Sequence, residues 1–148
     1  MIIDSRNEFC EGTDLSASTG TRQIGDTIDL GSPRNLGQGQ PLYLVVVVTT
    51  AVSGGSVEIV AATDDSSSIA TNGGASEHAS TGVQSAADMP AGAKFVIPLG
   101  TGTVEYERYL GLLQKTSGSN VTAGVIDAFL TMDPTGWKAY PDALDSIT

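Results

Sequence analysis

The chain's single histidine, His78, stands between Ser76 and Ser80. A hydroxyl beside an imidazole is the starting material of nucleophilic catalysis, in which the base takes the serine proton. No glycine elbow or oxyanion arrangement accompanies the trio, so it reads as ordinary surface polarity. Asp64, Asp65 and the serines Ser66, Ser67 and Ser68 supply oxygen ligands of the kind a hard cation takes. They lack the spacing of a calcium loop and read as a solvated turn. The one cysteine, Cys10, has no partner for an internal disulfide, and the surroundings that activate a catalytic thiol are not visible. Gly37-Gln38-Gly39 and Gly100-Thr101-Gly102 lack the Lys-Ser/Thr ending of a phosphate loop and read as turns. Asn120-Val121-Thr122 fits a glycosylation sequon, but without a secretory signal it reads as accidental. No constellation of acid, base, nucleophile or metal ligands emerges. The expectation is therefore a protein that is not an enzyme, with no cofactor, no catalytic residue and no metal site.

The elements that must position any site are set by size and composition. At 148 residues the chain is long enough for one domain with a proper core. Apolar residues make up 40% but aromatics only 5%, so aliphatic packing must carry that core. The 18 glycines, with plentiful Ser and Thr, favour short strands and many turns over helices. The formal net charge is −10, spread along the chain. That sign argues against nucleic acid, whose phosphates need Lys and Arg partners, and against anionic membranes. It is compatible with a basic patch on a protein partner. The N-terminus shows no basic region followed by an apolar segment. The longest apolar run, Leu42 to Val48, is far shorter than the roughly 20 residues a spanning helix needs. Both features predict a soluble protein made in a cytoplasm.

Along the chain, Thr21 to Leu30 reads as a strand ended by Gly31, Ser32 and Pro33, and Arg34 to Pro41 as a Gly-rich loop. Leu42 to Val52 is the strongest strand signal. Val45 to Val48 run consecutively, and a continuous β-branched run predicts burial on both faces. Ser53 to Gly55 reads as a tight turn, with Ser56 to Thr63 returning as the second arm of a hairpin. Residues 64–91 read as a long loop excursion, with one short strand near His78 to Gln84 and a role in contacting a neighbour. Ala93 to Leu99 is a further strand. Residues 134–148, which hold Trp137 and Tyr140, lack periodicity and read as a C-terminal arm. Seven or eight strands with turns between them predict an all-β, antiparallel jelly roll or β-sandwich, with an extended N-terminal segment, as a single domain over residues 1–148.

Glu105 to Asp133 carries two apolar runs flanking Thr116-Ser117-Gly118-Ser119, the pattern of a long β-hairpin. Closing the loop between Lys115 and Asn120 sets Leu112 opposite Ala123, Leu110 opposite Val125, Tyr106 opposite Phe129 and Arg108 opposite Asp127. The Arg108–Asp127 pair would fix the register or face a neighbouring subunit.

Several blocks carry a family resemblance. They are Met1-Ile2-Ile3-Asp4 with Phe9 soon after, Ile28-Asp29-Leu30-Gly31, Asp64-Asp65 after a strand, Arg108-Tyr109-Leu110, and Thr122-Ala123-Gly124 running to Asp133. In this order and spacing the chain resembles the Bbp16-type capsid cement proteins of tailed bacteriophages. The resemblance implies a jelly-roll domain that assembles as a homotrimer. It implies that the major capsid protein is the partner, and that the trimer sits on the outer surface of the mature capsid at three-fold and quasi-three-fold positions. There it would stabilise the shell against internal pressure without catalysing anything. The virion would be its location after synthesis in the host cytoplasm, with neither nucleic acid nor membrane as a partner. Residues expected at capsid or subunit interfaces are Ile2, Ile3, Phe9, Arg108, Asp127, Trp137 and Tyr140. The competing reading is a glycan- or receptor-binding β-sandwich module of a phage fibre or spike. Sparse aromatics weigh against it, because sugar faces stack on aromatic rings.

Overall fold

The computed structural model describes residues 5–36, 39, 41–100 and 104–134. Its centre is a pair of long antiparallel strands, β3 (Leu42–Asp64) and β6 (Tyr109–Thr131), each of 23 residues. The other strands are β1 (Glu8–Asp14), β2 (Gly20–Asp29), β4 (Ser76–Ser80) and β5 (Lys94–Leu99). Short 3₁₀ turns occupy Ser5–Asn7 and Ala86–Asp88, and no α-helix occurs among the described residues.

Both long strands bend at mid-length, and each half pairs with a different outer strand. The first half of β3 lies between β5 and the last half of β6, whose far side carries β1. The second half of β3 lies between β4 and the first half of β6, whose far side carries β2. Numbering the half-strands one to eight along the chain gives two four-stranded sheets, ordered 1-8-3-6 and 2-7-4-5. That connectivity is a jelly roll. The expected all-β jelly-roll sandwich is thus the fold observed, and the seven or eight expected strands correspond to these eight half-strands.

The two expected hairpins are not formed. Ser53–Gly55 and Thr116–Ser119 do not reverse the chain. They are bulged corners at which β3 and β6 bend together while remaining paired, as the register shifts between Val48 and Ser56 record. Between Val48↔Ile126 and Ser56↔Ser117 the two strands use unequal numbers of residues. The inward-facing positions of β3 therefore change parity, from Leu44, Val46 and Val48 to Val57, Ile59 and Ala61. Those of β6 stay even on both sides of the corner, with Leu110 and Leu112 before it and Ile126, Ala128 and Leu130 after. Glycine makes the corner possible. Gly54 has φ +96°, and a Cβ there would run into the Asn120 carbonyl oxygen.

The chain between the named strands follows the same corner. The Leu15 amide donates to the Gly124 carbonyl at 2.8 Å, and Ala17 bridges to Val121. On the opposite edge the Val52 amide donates to the Met89 carbonyl at 3.0 Å, and Gln84 bridges to Val57. Residues 64–91 are thus not a structureless excursion. They contain β4, they run alongside β3, and they bury Ile69 and Met89.

Folding the sheets together buries one aliphatic core that takes residues from every strand but β4, with Phe9, Leu15 and Met89 inside it. Each fully buried valine or leucine contributes about 1.5–3 kcal/mol of transfer free energy. The valine run is buried on both faces, as its composition predicts. Val46 and Val48 enter the core, while Val45 and Val47 join Phe129 in a second cluster on the outer side. A third cluster (Val60, Ala62, Ile69 and Leu113) lies under the turn that follows β3.

Candidate functional site: polar clusters at the ends of the sheets

Thr63 continues the inward-facing series of β3 at the point where the aliphatic core ends. It is fully buried, and it anchors a cluster of polar side chains. Its Oγ1 lies 2.7 Å from His78 Nε2 and accepts the Glu107 amide at 3.0 Å. The His78 ring stacks on Tyr106, with centroids 3.7 Å apart and planes 8° from parallel. Tyr106 is itself buried, and its hydroxyl donates to the Gly100 carbonyl at 3.1 Å. Burial of the imidazole lowers its pKa below the ordinary 6.5, and the Glu107 carboxylate works in the opposite direction. Burial likewise raises the Tyr106 phenol.

This geometry does not join Ser76 or Ser80 to His78. The Ser76 hydroxyl donates to Glu107 Oε1 at 2.7 Å, and the Ser80 hydroxyl donates to Glu58 Oε1 at 2.5 Å. The histidine's hydroxyl partner is Thr63, which stands opposite Ser76 in the β3–β4 ladder, two strand positions from His78. Nothing in the local sequence marks that partner, because it depends on the pairing of the two strands.

At the same end of this sheet, Arg108 makes a bidentate pair with Asp29 (Nε–Oδ1 2.9 Å, Nη2–Oδ2 2.8 Å). The guanidinium carbon sits 5.0 Å from the centre of the Tyr109 ring. The Arg108 hydrogen bond, with help from the Gly31 amide, holds the Asp29 carboxyl down at about 2. The expected Arg108–Asp127 pair does not exist. It required residues 105–133 to fold back on themselves, whereas the two halves of β6 lie in different sheets. Asp127 Oδ1 instead accepts the Gly12 amide at 2.7 Å, at a bulge in β1 where Gly12 has φ +61°.

A third cluster sits inside the first arm of β6. Gln114 is fully buried on the inward face. Its Oε1 accepts from Arg22 Nε at 3.0 Å and Nη2 at 2.9 Å, and its Nε2 donates to the Leu15 carbonyl at 2.8 Å and to Thr116 Oγ1 at 3.0 Å. Arg22 also donates to the Asp14 carbonyl at 2.7 Å. The network pins the β1–β2 connection to β6 and leaves no polar atom of Gln114 unused.

The remaining chemistry-bearing residues take structural places. Cys10 is buried, and desolvation raises its thiol pKa. Asp64 spends its carboxylate on backbone amides, accepting from Ser66 at 3.1 Å and Ala70 at 2.9 Å. Among the described residues, no group of three or more His, Cys, Asp or Glu side chains is placed to hold a metal ion. Lys115 pairs with Glu77 at 2.7 Å beside a shallow cleft of about 430 Å³ lined by the 70–75 turn.

Of the residues expected at interfaces, Phe9 is only 1% exposed and packs in the chain's own core. That burial leaves it no side-chain surface for a partner. Arg108 and Asp127 are each engaged within the chain, with Asp29 and Gly12. Ile2, Ile3, Trp137 and Tyr140 lie outside the described residues, as do positions 135–148 of the expected arm 134–148.

The two sheets and their end clusters define an antiparallel jelly-roll protein whose buried polar groups are tied into strand junctions. The chain belongs to the Bbp16 family, a phage-derived family whose profile matches residues 13–130, from the end of β1 to the end of β6. No curated protein matches it.

Proposed function

We propose that this chain is a capsid cement protein of a tailed bacteriophage. As a trimer it would bind the outer surface of the expanded shell, at three-fold and quasi-three-fold positions, and clamp neighbouring major capsid subunits against the pressure of packaged genome. The observation that carries this reading is the Bbp16 family match, which spans the jelly roll almost end to end. The physics that suits the task is multivalency. A trimer engaging three sites loses its translational freedom largely once, so modest single contacts add up to a slowly dissociating clamp. The net charge of −10 would favour a basic rim on the shell.

The test mixes purified protein with undecorated expanded heads of the cognate phage, then images them and measures their resistance to heat. Density at the three-fold positions, a trimeric mass by light scattering and a raised disruption temperature are expected. A strictly monomeric protein that leaves the heads bare and no more stable would overturn the proposal.

A further inference from the structure

The cluster built on Thr63 has a proton inventory that favours one arrangement. Thr63 Oγ1 accepts the Glu107 amide and keeps one proton to donate, and His78 Nε2 at 2.7 Å is an acceptor within its reach. In that arrangement Nε2 is bare and the ring's single proton sits on Nδ1. A second proton on the imidazole would make Nε2 a donor pointed at Thr63 Oγ1. The threonine proton would have to turn away at a residue that is 0% exposed, where an unpaired hydroxyl is costly.

We propose that Thr63, His78 and Glu107 form an acid-released latch. It holds the segment leading into β6 against β3 and β4 while His78 is neutral, and it lets that segment go when His78 is protonated. The inference is independent of the cement reading. What the latch holds is well defined. Tyr106 is clamped under the His78 ring, the Glu107 amide is bound to Thr63, and the Glu107 side chain is bound to Ser76. Beyond them, Arg108 is tied to the end of β2 by its pair with Asp29 and by its carbonyl, which accepts the Leu30 amide at 2.9 Å.

The charged groups around His78 do not cancel the effect. Among the described residues, Glu107 is the one carboxylate that favours the imidazolium, and its Oε1 accepts the Ser76 hydroxyl. On β4 itself Glu77 is paired with Lys115, while on β3 Glu58 accepts from Ser80 and Asp64 from two backbone amides. Glu105 is exposed. The folded imidazole pKa lies below the ordinary 6.5. The unfolded or opened state therefore takes the proton first. The latch is fully closed above about 6.5 and weakens as pH falls from there through the lower, folded value.

The sole histidine makes the test direct. Nitrogen-15 and carbon-13 NMR of the full chain, titrated from pH 8 to 4.5, reports its tautomer and midpoint. Amide exchange, corrected for intrinsic rates, reports protection at Glu107. The expected result is an Nδ1–H tautomer, a midpoint below 6.5, and protection at Glu107 that falls at least tenfold across that midpoint while the Val46 amide stays protected. An Nε2–H tautomer, a midpoint at or above 6.5, or Glu107 protection that ignores the titration would each overturn the latch. In Thr63→Val, Glu107 protection should already be lost at pH 8 and no longer follow pH. If that variant does not fold, the wild-type titration decides alone.

Discussion

Asp127 on β6 accepts the backbone amide of Gly12 at 2.7 Å, a contact between residues 115 apart in the chain. The carboxylate fills a bulge in β1 where one amide has left the ladder, so a residue with the look of half an ion pair serves as a backbone clamp. Asp127→Ala should cost about 1 kcal/mol, near the lower end of the range for hydrogen bonds to charged groups because the site is exposed. Asp127→Asn, which keeps an acceptor, should cost less. Urea denaturation checks the order, and equal losses from both variants would show that the charge, not the hydrogen bond, is what matters.

Gln114 spends four hydrogen bonds inside the core. Replacing it with Leu leaves the Leu15 carbonyl without its side-chain donor and takes two of the Arg22 guanidinium's hydrogen bonds, leaving it the Asp14 carbonyl. The expected loss is about 2–4 kcal/mol, the sum of a buried unsatisfied group and a charged one stripped of a partner. A thermal midpoint within a degree or two of wild type would mean that water replaces the glutamine fully.

The bent corner depends on residues without side chains. Gly55→Ala would drive a methyl into the Ser119 carbonyl oxygen, and Gly54→Ala would add a strained positive φ to a similar collision. Each should cost more than about 2 kcal/mol. Gly73→Ala is the control. Its φ is +89° but nothing lies within 4 Å of the added methyl, so only the backbone penalty of about 1 kcal/mol is expected. Comparable losses at all three positions would remove the steric explanation.

Asp29 should titrate at about 2 while it is held by Arg108. Because the folded value lies below the unfolded one, the pair's contribution is present above the ordinary carboxylate value of about 3.9 and is lost as pH falls towards 2. Carboxyl carbon NMR of wild type and Arg108→Ala should show the variant's Asp29 moving up towards the ordinary value. An Asp29 midpoint unchanged by the substitution would exclude the ion pair as the cause.

The fold class was legible because its causes are local. β-branched runs, alternating apolar positions and glycine-rich breaks mark strands wherever they occur. The burial of Val45–Val48 on both faces, β2 and β5 could all be read in this way. The hairpins failed for a physical reason. A polar, glycine-containing break between two apolar runs looks the same whether the chain reverses there or bends and continues. In both cases the flanking apolar residues face one core. Only the partner strand distinguishes the two, because β3 accompanies β6 through the corner.

The polar clusters were hidden for the same reason. His78 and Arg108 stand out in the sequence, yet their partners Thr63 and Asp29 lie on other strands, at distances no spacing rule encodes. What the amino-acid sequence determined by itself was composition-driven: an acidic, all-β, aliphatic-cored chain with family blocks in order. What only the tertiary structure decided was which strand faces which. Hydrogen-bonded ladders are non-local, and a bulge of one residue reverses the facing of every position beyond it. Arg108 therefore meets Asp29, and Asp127 closes on Gly12.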